Sequence, residues 1–538
     1  MKKFVVAVFA LALFSACDTD KVIDNFSLGI KPELMQYSAM LDIYDASDSV
    51  TIPSNLLITV ESDNADDVYE GSGKSDLTPV EGRIEIGLHP RANPTPNSPV
   101  NVRLHITADG YLDTYYDVNI DVNSNRQVLE IPMINRANPP SGVGFKTETT
   151  SLQGDSLPNS FQTALTPSAG SSVGMEIDLP EGTSFIDRNG NPISGSDLDM
   201  DIGQFDPSSE SALSAFPGGF APDSVSLGDG SASSGNFLTA GFTAMNMSIG
   251  GTEVKSFTKP ITVKMDLAAG ARNPETGTVI ALGDSVPVWS FDETEGVWAY
   301  ETTGVAIQGS NGLQVEYQTT HLSWWNLDFY GTRCCGGQWV RNGFRWTYQN
   351  LGPCATLTVN MPGWDAGVKD WFNVKVVYAG TNQPVSRYAS RSRFIGDGST
   401  ITYRNVPNFP VQVKVYDQTT NNLLGQTQNL SLCSGSPSIT VNAPVPTVYT
   451  LDIEGFCKDD PSITLRPYFY LYYKPSTSRY YQYLGYVANG SFSTTKVEMN
   501  QEYDFRTYYN GQVYEKRETI TRTDYSFRIE MGDFCNSL

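Results

Sequence analysis

Hydrophobic and polar residues alternate over short runs along most of the chain, and this period of two predicts β-strands. Early runs lie at 56–60, 83–86, 102–106 and 118–122, with turn-forming residues between them. The stretch 107–112 contains Asp109 and Gly110 and predicts a tight turn between two strand ends. About 110 residues of this pattern suit one immunoglobulin-like β-sandwich, which we assign to 28–137.

The first 17 residues have a different pattern. Lys2 and Lys3 precede an apolar run at 4–14, which is too short to span a bilayer, and small residues lead to Cys17. This predicts a lipoprotein signal peptide at 1–17 that ends at a lipidated Cys17, followed by a polar tether at 18–27. Several acyl chains on one cysteine give stable anchoring, so we expect a membrane-tethered protein.

The residues around Cys17 carry a first resemblance. Ser15-Ala16 before the cysteine and Asp18-Thr19-Asp20 after it resemble lipoproteins of Bacteroidota-type bacteria. In that group, acidic residues after the cysteine accompany transfer to the outer face of the outer membrane. The resemblance implies a lipid anchor in the outer membrane with the protein on the extracellular face. A periplasm-facing protein stays the alternative.

A proline-containing spacer at 136–142 precedes a longer β-rich segment at 144–330, in which Asn189-Gly190 predicts a hairpin turn. Its last part contains three aromatic motifs, namely Pro-Val-Trp289-Ser-Phe, Gly-Val-Trp298 and the segment 321–325. These motifs resemble the ectodomain of the astroprincin family over about residues 145–330. The resemblance implies a β-rich fold and no known catalytic residues.

Beyond residue 330 the chain repeats a pattern at a spacing of about 90 residues, which predicts two further modules at 331–446 and 447–538. Thr356-Leu357-Thr358-Val359 matches Thr450-Leu451-Asp452-Ile453, and each copy closes with a short alternating strand. Both copies resemble carboxypeptidase regulatory-like and transthyretin-like sandwiches. The predicted fold class is all-β, with tandem immunoglobulin-like and transthyretin-like β-sandwich domains behind a lipidated N-terminal tether.

Charge is distributed unevenly. The net charge is −23, from 36 basic and 59 acidic residues. Residues 331–538 hold 20 basic and 16 acidic residues, a net charge of +4, so residues 1–330 carry −27. Such an acidic first part repels phosphate backbones, so we expect no nucleic-acid partner. The aromatic-rich remainder is the better candidate for contacts.

Six cysteines remain if Cys17 is lipidated, and an even number in an exported protein predicts disulfides. We prefer a Cys457–Cys535 bridge, with Cys354–Cys433 next. The adjacent Cys334 and Cys335 would then pair with each other or exchange partners with the others. This region has no histidine and no C-x-x-C pair, so we expect no zinc site and no metal.

Catalytic patterns are weak. Gly154-Asp155-Ser156-Leu157 spells a lipase motif, but the Asp-x-x-His partner is missing. Only His89, His105 and His321 exist in the chain, and His321 fits a neutral histidine in an aromatic core. We therefore expect no enzyme, no catalytic residue and no cofactor.

Two further polar patterns leave alternatives open. Asp197, Asp199 and Asp201 alternate on one strand face, which suits either calcium or solvent, and the pattern favours solvent because the spacing of a calcium loop is absent. Asp-Ser-Val/Leu sequences at 48–50, 155–157, 223–225 and 284–286 resemble the O-glycosylation sites of Bacteroidota-type exported proteins.

Aromatic residues are the most suggestive for binding. Alternation leaves about half of an aromatic strand pointing away from its own core, and exposed aromatic side chains are enriched at interfaces and stack on sugars. The candidates are Trp339, Trp364, Trp371, Tyr470, Tyr472 and Tyr481. We expect a non-enzymatic surface lipoprotein that acts as a binding or structural accessory subunit of an outer-membrane β-barrel complex, in nutrient uptake or barrel assembly. Glycan binding at the cell surface is the alternative.

Overall fold

The computed structural model describes residues 37–530, apart from 49, 63–64, 72–74, 96–99, 121–126, 168–170, 294–295, 343–344, 387–389, 404–405, 419, 458–459, 461, 479–480 and 510–511. The predicted signal peptide, Cys17, the tether and Cys535 lie outside these residues. The described chain is almost entirely β, which confirms the fold class. Its helices are one 3₁₀ turn, Ala65–Asp67, and one α-helix, Glu210–Leu213 (α1). Neither could cross a bilayer, and the described residues offer no other candidate.

The first unit is a sandwich of a four-stranded and a three-stranded sheet. The strand orders are β3-β4-β1-β7 and β2-β5-β6, and the tight turn predicted at 107–112 joins β5 to β6, with Gly110 at φ +79°. Alternate residues such as Leu41, Ile86 and Val102 fill the space between the sheets. The strands are β1 Ser38–Asp45, β2 Leu57–Val60, β3 Val68–Glu70, β4 Arg83–Leu88, β5 Val100–Thr107, β6 Thr114–Ile120 and β7 Gln127–Met133.

The second unit has one extended set of 16 connected strands. The hairpin predicted at Asn189-Gly190 is present, since Ile186 pairs with Pro192 across it. The strands are β8 Val143–Ser151, β9 Phe161–Leu165, β10 Met175–Leu179, β11 Phe185–Ile186, β12 Asp197–Phe205, β13 Val225–Ser226, β14 Ala232–Ser233, β15 Gly235–Ile249, β16 Thr252–Glu253, β17 Ser256–Asp266, β18 Ser285–Asp292, β19 Val297–Gln308, β20 Leu313–His321, β21 Trp324–Thr332, β22 Gly336–Asn342 and β23 Arg345–Gly352. The hairpin β22–β23, which the expected boundary at 331 assigns to the next module, pairs with β14 of this unit.

The aromatic motifs of the second unit are core residues. Trp289, Trp298 and Trp324 come from three strands and pack into one buried cluster. Trp298 Nε1 donates to the Pro217 carbonyl at 3.1 Å, which satisfies the buried donor. Tyr115 of the first unit packs into the same cluster, so the first two units share a hydrophobic contact.

The third and fourth units have a similar topology, and the fourth has an additional two-residue strand, Thr464–Leu465, paired with its first strand. In each, the first strand pairs antiparallel with one neighbour and parallel with the last strand, and a four-stranded sheet covers the other side. The third unit contains β24 Thr356–Asn360, β25 Asp370–Tyr378, β26 Arg391–Ile395, β27 Thr400–Thr402, β28 Val411–Asp417, β29 Leu423–Gln426 and β30 Ser438–Thr440. The fourth contains β31 Tyr449–Phe456, β32 Thr464–Leu465, β33 Phe469–Pro475, β34 Gln482–Val487, β35 Ser491–Thr494, β36 Glu502–Tyr509, β37 Gln512–Thr519 and β38 Asp524–Glu530.

The first unit repeats part of this plan, although the sequence pattern does not show it. Its first strand, β1, also pairs antiparallel with an inner strand, β4, and parallel with the last strand, β7. Three of the four units therefore begin and end with neighbouring parallel strands, a connection that brings the two ends of each module to the same sheet.

Two disulfides join the second and third units. Cys334 is bonded to Cys433 and Cys335 to Cys354, with Cα–Cα distances of 5.4 and 5.0 Å. The Cys354–Cys433 pairing, expected next after Cys457–Cys535, is wrong, and the alternative in which Cys334 and Cys335 exchange partners with the others is observed. Successive side chains of an extended segment point in opposite directions, so adjacent cysteines reach different partners. Cys457 is also disulfide-bonded, while its expected partner Cys535 lies outside the described residues.

Candidate interaction surfaces

The tyrosine face of the fourth unit lies against the first unit. Tyr470 and Tyr472 of β33 point away from their own core and pack with Met40 of β1 in a separate buried cluster. Their side chains are 4% and 0% exposed. The predicted alternation is therefore correct, but the expectation that these two rings are free for a ligand is wrong. The first sandwich covers them.

Arg83 of β4 is the polar centre of this contact. Its guanidinium carbon lies 4.6 Å from the Tyr472 ring centre, within the range of a cation–π interaction. Nη1 donates to the Tyr508 hydroxyl at 2.9 Å, and Nη2 donates to Asp42 at 3.0 Å and to the Tyr481 carbonyl at 3.2 Å. Residues of the fourth unit thus supply much of the surroundings of a largely buried cation of the first.

A second arginine extends the contact towards solvent. The guanidinium carbon of Arg506 lies 3.9 Å from the centre of the Tyr481 ring, and the Tyr481 hydroxyl donates to Glu515 at 3.0 Å. Arg506 also pairs with Glu81 of the first unit. Tyr481 is half-buried at the rim of the interface, so part of its ring remains accessible.

The tryptophan candidates have different environments. Trp364 is 7% exposed in the core of the third unit, where Nε1 donates to the Ala443 carbonyl at 2.9 Å, so a ligand-binding role on the surface is wrong for this residue. The side chain of Trp339 lies outside the described part. Trp371 is half-buried, and its ring centre lies 5.4 Å from that of Phe394, which is 43% exposed. Lys496 of the fourth unit lies 5.4 Å from the Trp371 ring centre, so Phe394 is the more accessible ring of the Trp371–Phe394 pair.

Charged residues meet where the third and fourth units approach the first. Lys496, in the loop after β35, donates to the Tyr483 carbonyl at 2.9 Å. Burial lowers the pKa of Lys496 to about 8, against the opposing attraction of Asp370 and Glu130. Thr495 donates to Asp370 of the third unit. Carboxylates of the first and third units therefore face one lysine of the fourth.

The second and third units are joined by buried hydrogen bonds as well as by disulfides. Asn236 Nδ2 donates to the Val385 carbonyl and Gln383 Nε2 to the Phe237 carbonyl, both at 3.0 Å. Leu238 of β15 is part of the hydrophobic core of the third unit. Each sandwich therefore contacts the next along the chain, and the fourth returns to the first, which makes one closed body of four units.

The fourth unit contains an apolar cavity of about 240 Å³ between its two sheets. Its walls include Leu471, Leu484 and Phe492, and Lys516, Glu518 and Arg528 lie at its edge. Sequence alternation predicts such a core but does not show that its side chains leave space, because the volume depends on sheet separation.

The histidines do not form a nucleophile–base pair with a serine. His321 Nε2 lies 3.3 Å from Glu301 Oε1, and the Ser290 hydroxyl donates to the same oxygen at 2.6 Å. Its side chain is 35% exposed, so the expectation of a histidine buried in an aromatic core is wrong. The Ser156 hydroxyl lies in a turn and donates to the Gln153 carbonyl at 3.3 Å.

The three alternating aspartates lie on one face of β12, as predicted. Each accepts a hydrogen bond from a hydroxyl of the neighbouring edge strand β8. The pairs are Ser151–Asp197 at 3.1 Å, Thr149–Asp199 at 2.7 Å and Thr147–Asp201 at 2.8 Å. Within the described residues, no group of three or more side chains is arranged to hold a metal ion.

Comparison with known proteins gives similarity to solved structures only. No family model and no curated protein matches the chain. A streptococcal ancillary pilin is 10% identical, with 49% of this chain and 94% of that chain covered and a TM-score of 0.15. The major pilin subunit BcpA of Bacillus cereus is 8% identical over 76% of this chain and 99% of its own, with a TM-score of 0.14. The Bacillus anthracis TIE protein is 10% identical over 73% and 58%, with a TM-score of 0.12.

Proposed function

We propose that this chain is a non-enzymatic lipoprotein of the outer membrane, anchored through Cys17 on the extracellular face, and that it serves as a binding or structural subunit of an outer-membrane β-barrel complex. The observation that carries the proposal is the packing of the fourth unit on the first through Arg83, Tyr472 and Tyr508. A closed body holds its outer surfaces in fixed relative positions, and a preorganised surface loses less entropy on binding.

The charge distribution supports a role at an envelope surface. The first 330 residues carry most of the negative charge and the C-terminal part is slightly positive, so the units differ in the charge that they can offer to a partner. The Trp371–Phe394 pair supplies an accessible aromatic contact of the kind enriched at protein interfaces. The roles in nutrient uptake or barrel assembly rest on the resemblance to surface lipoproteins.

The experiment is a pull-down of the tagged full-length protein from its native membranes after mild detergent extraction. The proposal expects a β-barrel protein in stoichiometric amount, and less of it with Phe394→Ala. Leu423→Ala, an exposed apolar residue of the same unit, is the matched control. Recovery of the protein without a barrel partner would refute the subunit role.

A second candidate, glycan binding, is favoured by the same aromatic pair. Partly exposed aromatic rings can stack on sugar rings. Glycan-array binding that is lost with Trp371→Ala and kept with Leu423→Ala would support this function. No binding to any glycan by the wild type would exclude it on that array.

A further inference from the structure

The cavity of the fourth unit has apolar walls, and charged residues line its opening, which we call the mouth. Its walls consist of aliphatic and aromatic side chains from both sheets, including Ile453, Leu471, Leu484 and Phe505. Its volume of about 240 Å³ exceeds the ~150 Å³ of an engineered apolar cavity that stays dry and binds benzene. The space is therefore sufficient for an apolar group larger than one benzene ring.

The mouth lies between two edge strands. Among the described strands, β37 pairs only with β36 and β38 only with β31, so the two sheets are not joined on this side. Lys516 of β37 lies across the gap from β38, with Nζ 4.5 Å from the Phe527 ring centre. Two cations, Lys516 and Arg528, and one acid, Glu518, line this end of the cavity. Lys516 Nζ lies 3.6 Å from a carboxylate oxygen of Glu518, and Arg528 pairs with Glu454 at 3.0 Å, so an anionic group at the mouth would share Lys516 with Glu518.

The position of these charges selects the class of occupant. Charged side chains that point inward from an edge strand oppose the addition of a further β-strand. Lys516 and Glu518 have this orientation, because both line the cavity while Arg517 between them pairs with Asp504 outside it. An alkyl chain that enters the apolar space and leaves an anionic group beside Lys516 satisfies both parts of the site.

We propose that the cavity of the fourth unit binds a single-chain anionic amphiphile, with the alkyl chain between the two sheets and the anionic group beside Lys516. A charge-assisted hydrogen bond to the ammonium would hold the head group, while burial of methylene groups would provide most of the affinity. This inference is independent of the proposed subunit role, because a ligand in this cavity and a barrel partner are detected by separate measurements.

The test is calorimetric titration of the full chain with dodecanoate and, in parallel, with dodecanol. Dodecanoate should bind one site saturably, and Lys516→Met should weaken it about tenfold while leaving dodecanol unchanged. Arg522→Met removes an exposed cation of the same unit and should change neither ligand. Equal binding of dodecanoate before and after Lys516→Met would overturn the head-group assignment.

A second variant tests the cavity itself. Ile520→Phe fills the cavity from its lining and should abolish dodecanoate binding, whereas Ile463→Phe, an exposed isoleucine of the same unit, should not. Thermal unfolding checks that both variants fold. If Ile520→Phe does not fold, the Lys516→Met comparison still decides the proposal. No saturable binding to the wild type, or binding of an alternating Val-Thr peptide in place of dodecanoate, would overturn it.

Discussion

Arg83 donates a 2.9 Å hydrogen bond to the hydroxyl of Tyr508, a residue 425 positions further along the chain. This contact joins the first and last sandwiches, so the order of the units along the chain is not their order in space. The tyrosines of the fourth unit that face outward from their own core act mainly within the molecule.

Loss of the Arg83 guanidinium should open the contact between the first and fourth units. Arg83→Ala leaves Asp42 partly buried without its cation, and breaking such a pair costs about 3 kcal/mol. We expect a lower free energy of unfolding and a larger radius of gyration in X-ray scattering. Arg91→Ala removes a largely exposed arginine of the same unit and should change stability by less than about 0.5 kcal/mol. Equal losses of unfolding free energy in Arg83→Ala and Arg91→Ala would contradict the contact between the first and fourth units.

Lys496 should make stability depend on pH in the alkaline range. Its pKa is about 8 in the folded protein and 10.5 as the ordinary value, so the unfolded chain binds more protons between these values. The penalty for burying the charge is present below pH 8 and is lost as pH rises towards 10.5. The stability of the wild type relative to Lys496→Met should therefore rise between pH 8 and pH 10. Denaturant unfolding at each pH measures this difference, and a flat difference would refute the burial of Lys496.

His105 should show the opposite dependence at mildly acid pH. The hydrogen bond to Asp113, together with the charge of Glu61, raises the pKa of His105, and both carboxylates lie 3.1 Å from ring nitrogens. Protonated His105 and its two carboxylates stabilise the folded protein fully below pH 6.5. This stabilisation is lost as pH rises through the pKa of His105 in the folded protein. His105→Gln should therefore destabilise the protein more at pH 5.5 than at pH 8.5. An NMR titration should give a pKa above 6.5 for this ring, whereas a value below 6.5 would contradict the two ion pairs.

The two disulfides should contribute unequally. They close loops with sequence separations of 99 and 19 residues, and the chain-entropy treatment gives about 4.7 and about 3.2 kcal/mol respectively.

Serine replacement of both Cys334 and Cys433 should leave no free thiol among Cys335 and Cys354. Replacement of Cys354 and Cys433 should instead leave Cys334 and Cys335 as two free thiols. Thiol titration of the unfolded, unreduced variants distinguishes the two pairings.

The all-β class follows from local alternation, because a half-buried strand has a period of two wherever it lies. The match of Thr356-Leu357-Thr358-Val359 with Thr450-Leu451-Asp452-Ile453 places the first strand of each module correctly. Alternation also identifies the outward-facing Tyr470 and Tyr472. It contains no information about which distant surface covers them, since that depends on how complete modules pack.

Other features depend on contacts that no local pattern records. The hairpin β22–β23 pairs with the very short β14, whose two residues give no strand signal. Cysteine spacing permits several pairings, and only the directions of the adjacent Cys334 and Cys335 side chains select between them. His321 lies in an aromatic sequence, but the carboxylate of Glu301 from a neighbouring strand holds it near the surface.

A double-mutant cycle between Arg83 and Tyr472 tests the closed arrangement of the four units most directly. Free energies of unfolding are measured for the wild type, Arg83→Met, Tyr472→Leu and the double variant. A direct cation–π contact in a desolvated interface predicts a coupling energy of about 1–2 kcal/mol. Strictly additive effects of the two substitutions would show that the first and last sandwiches do not meet in this way.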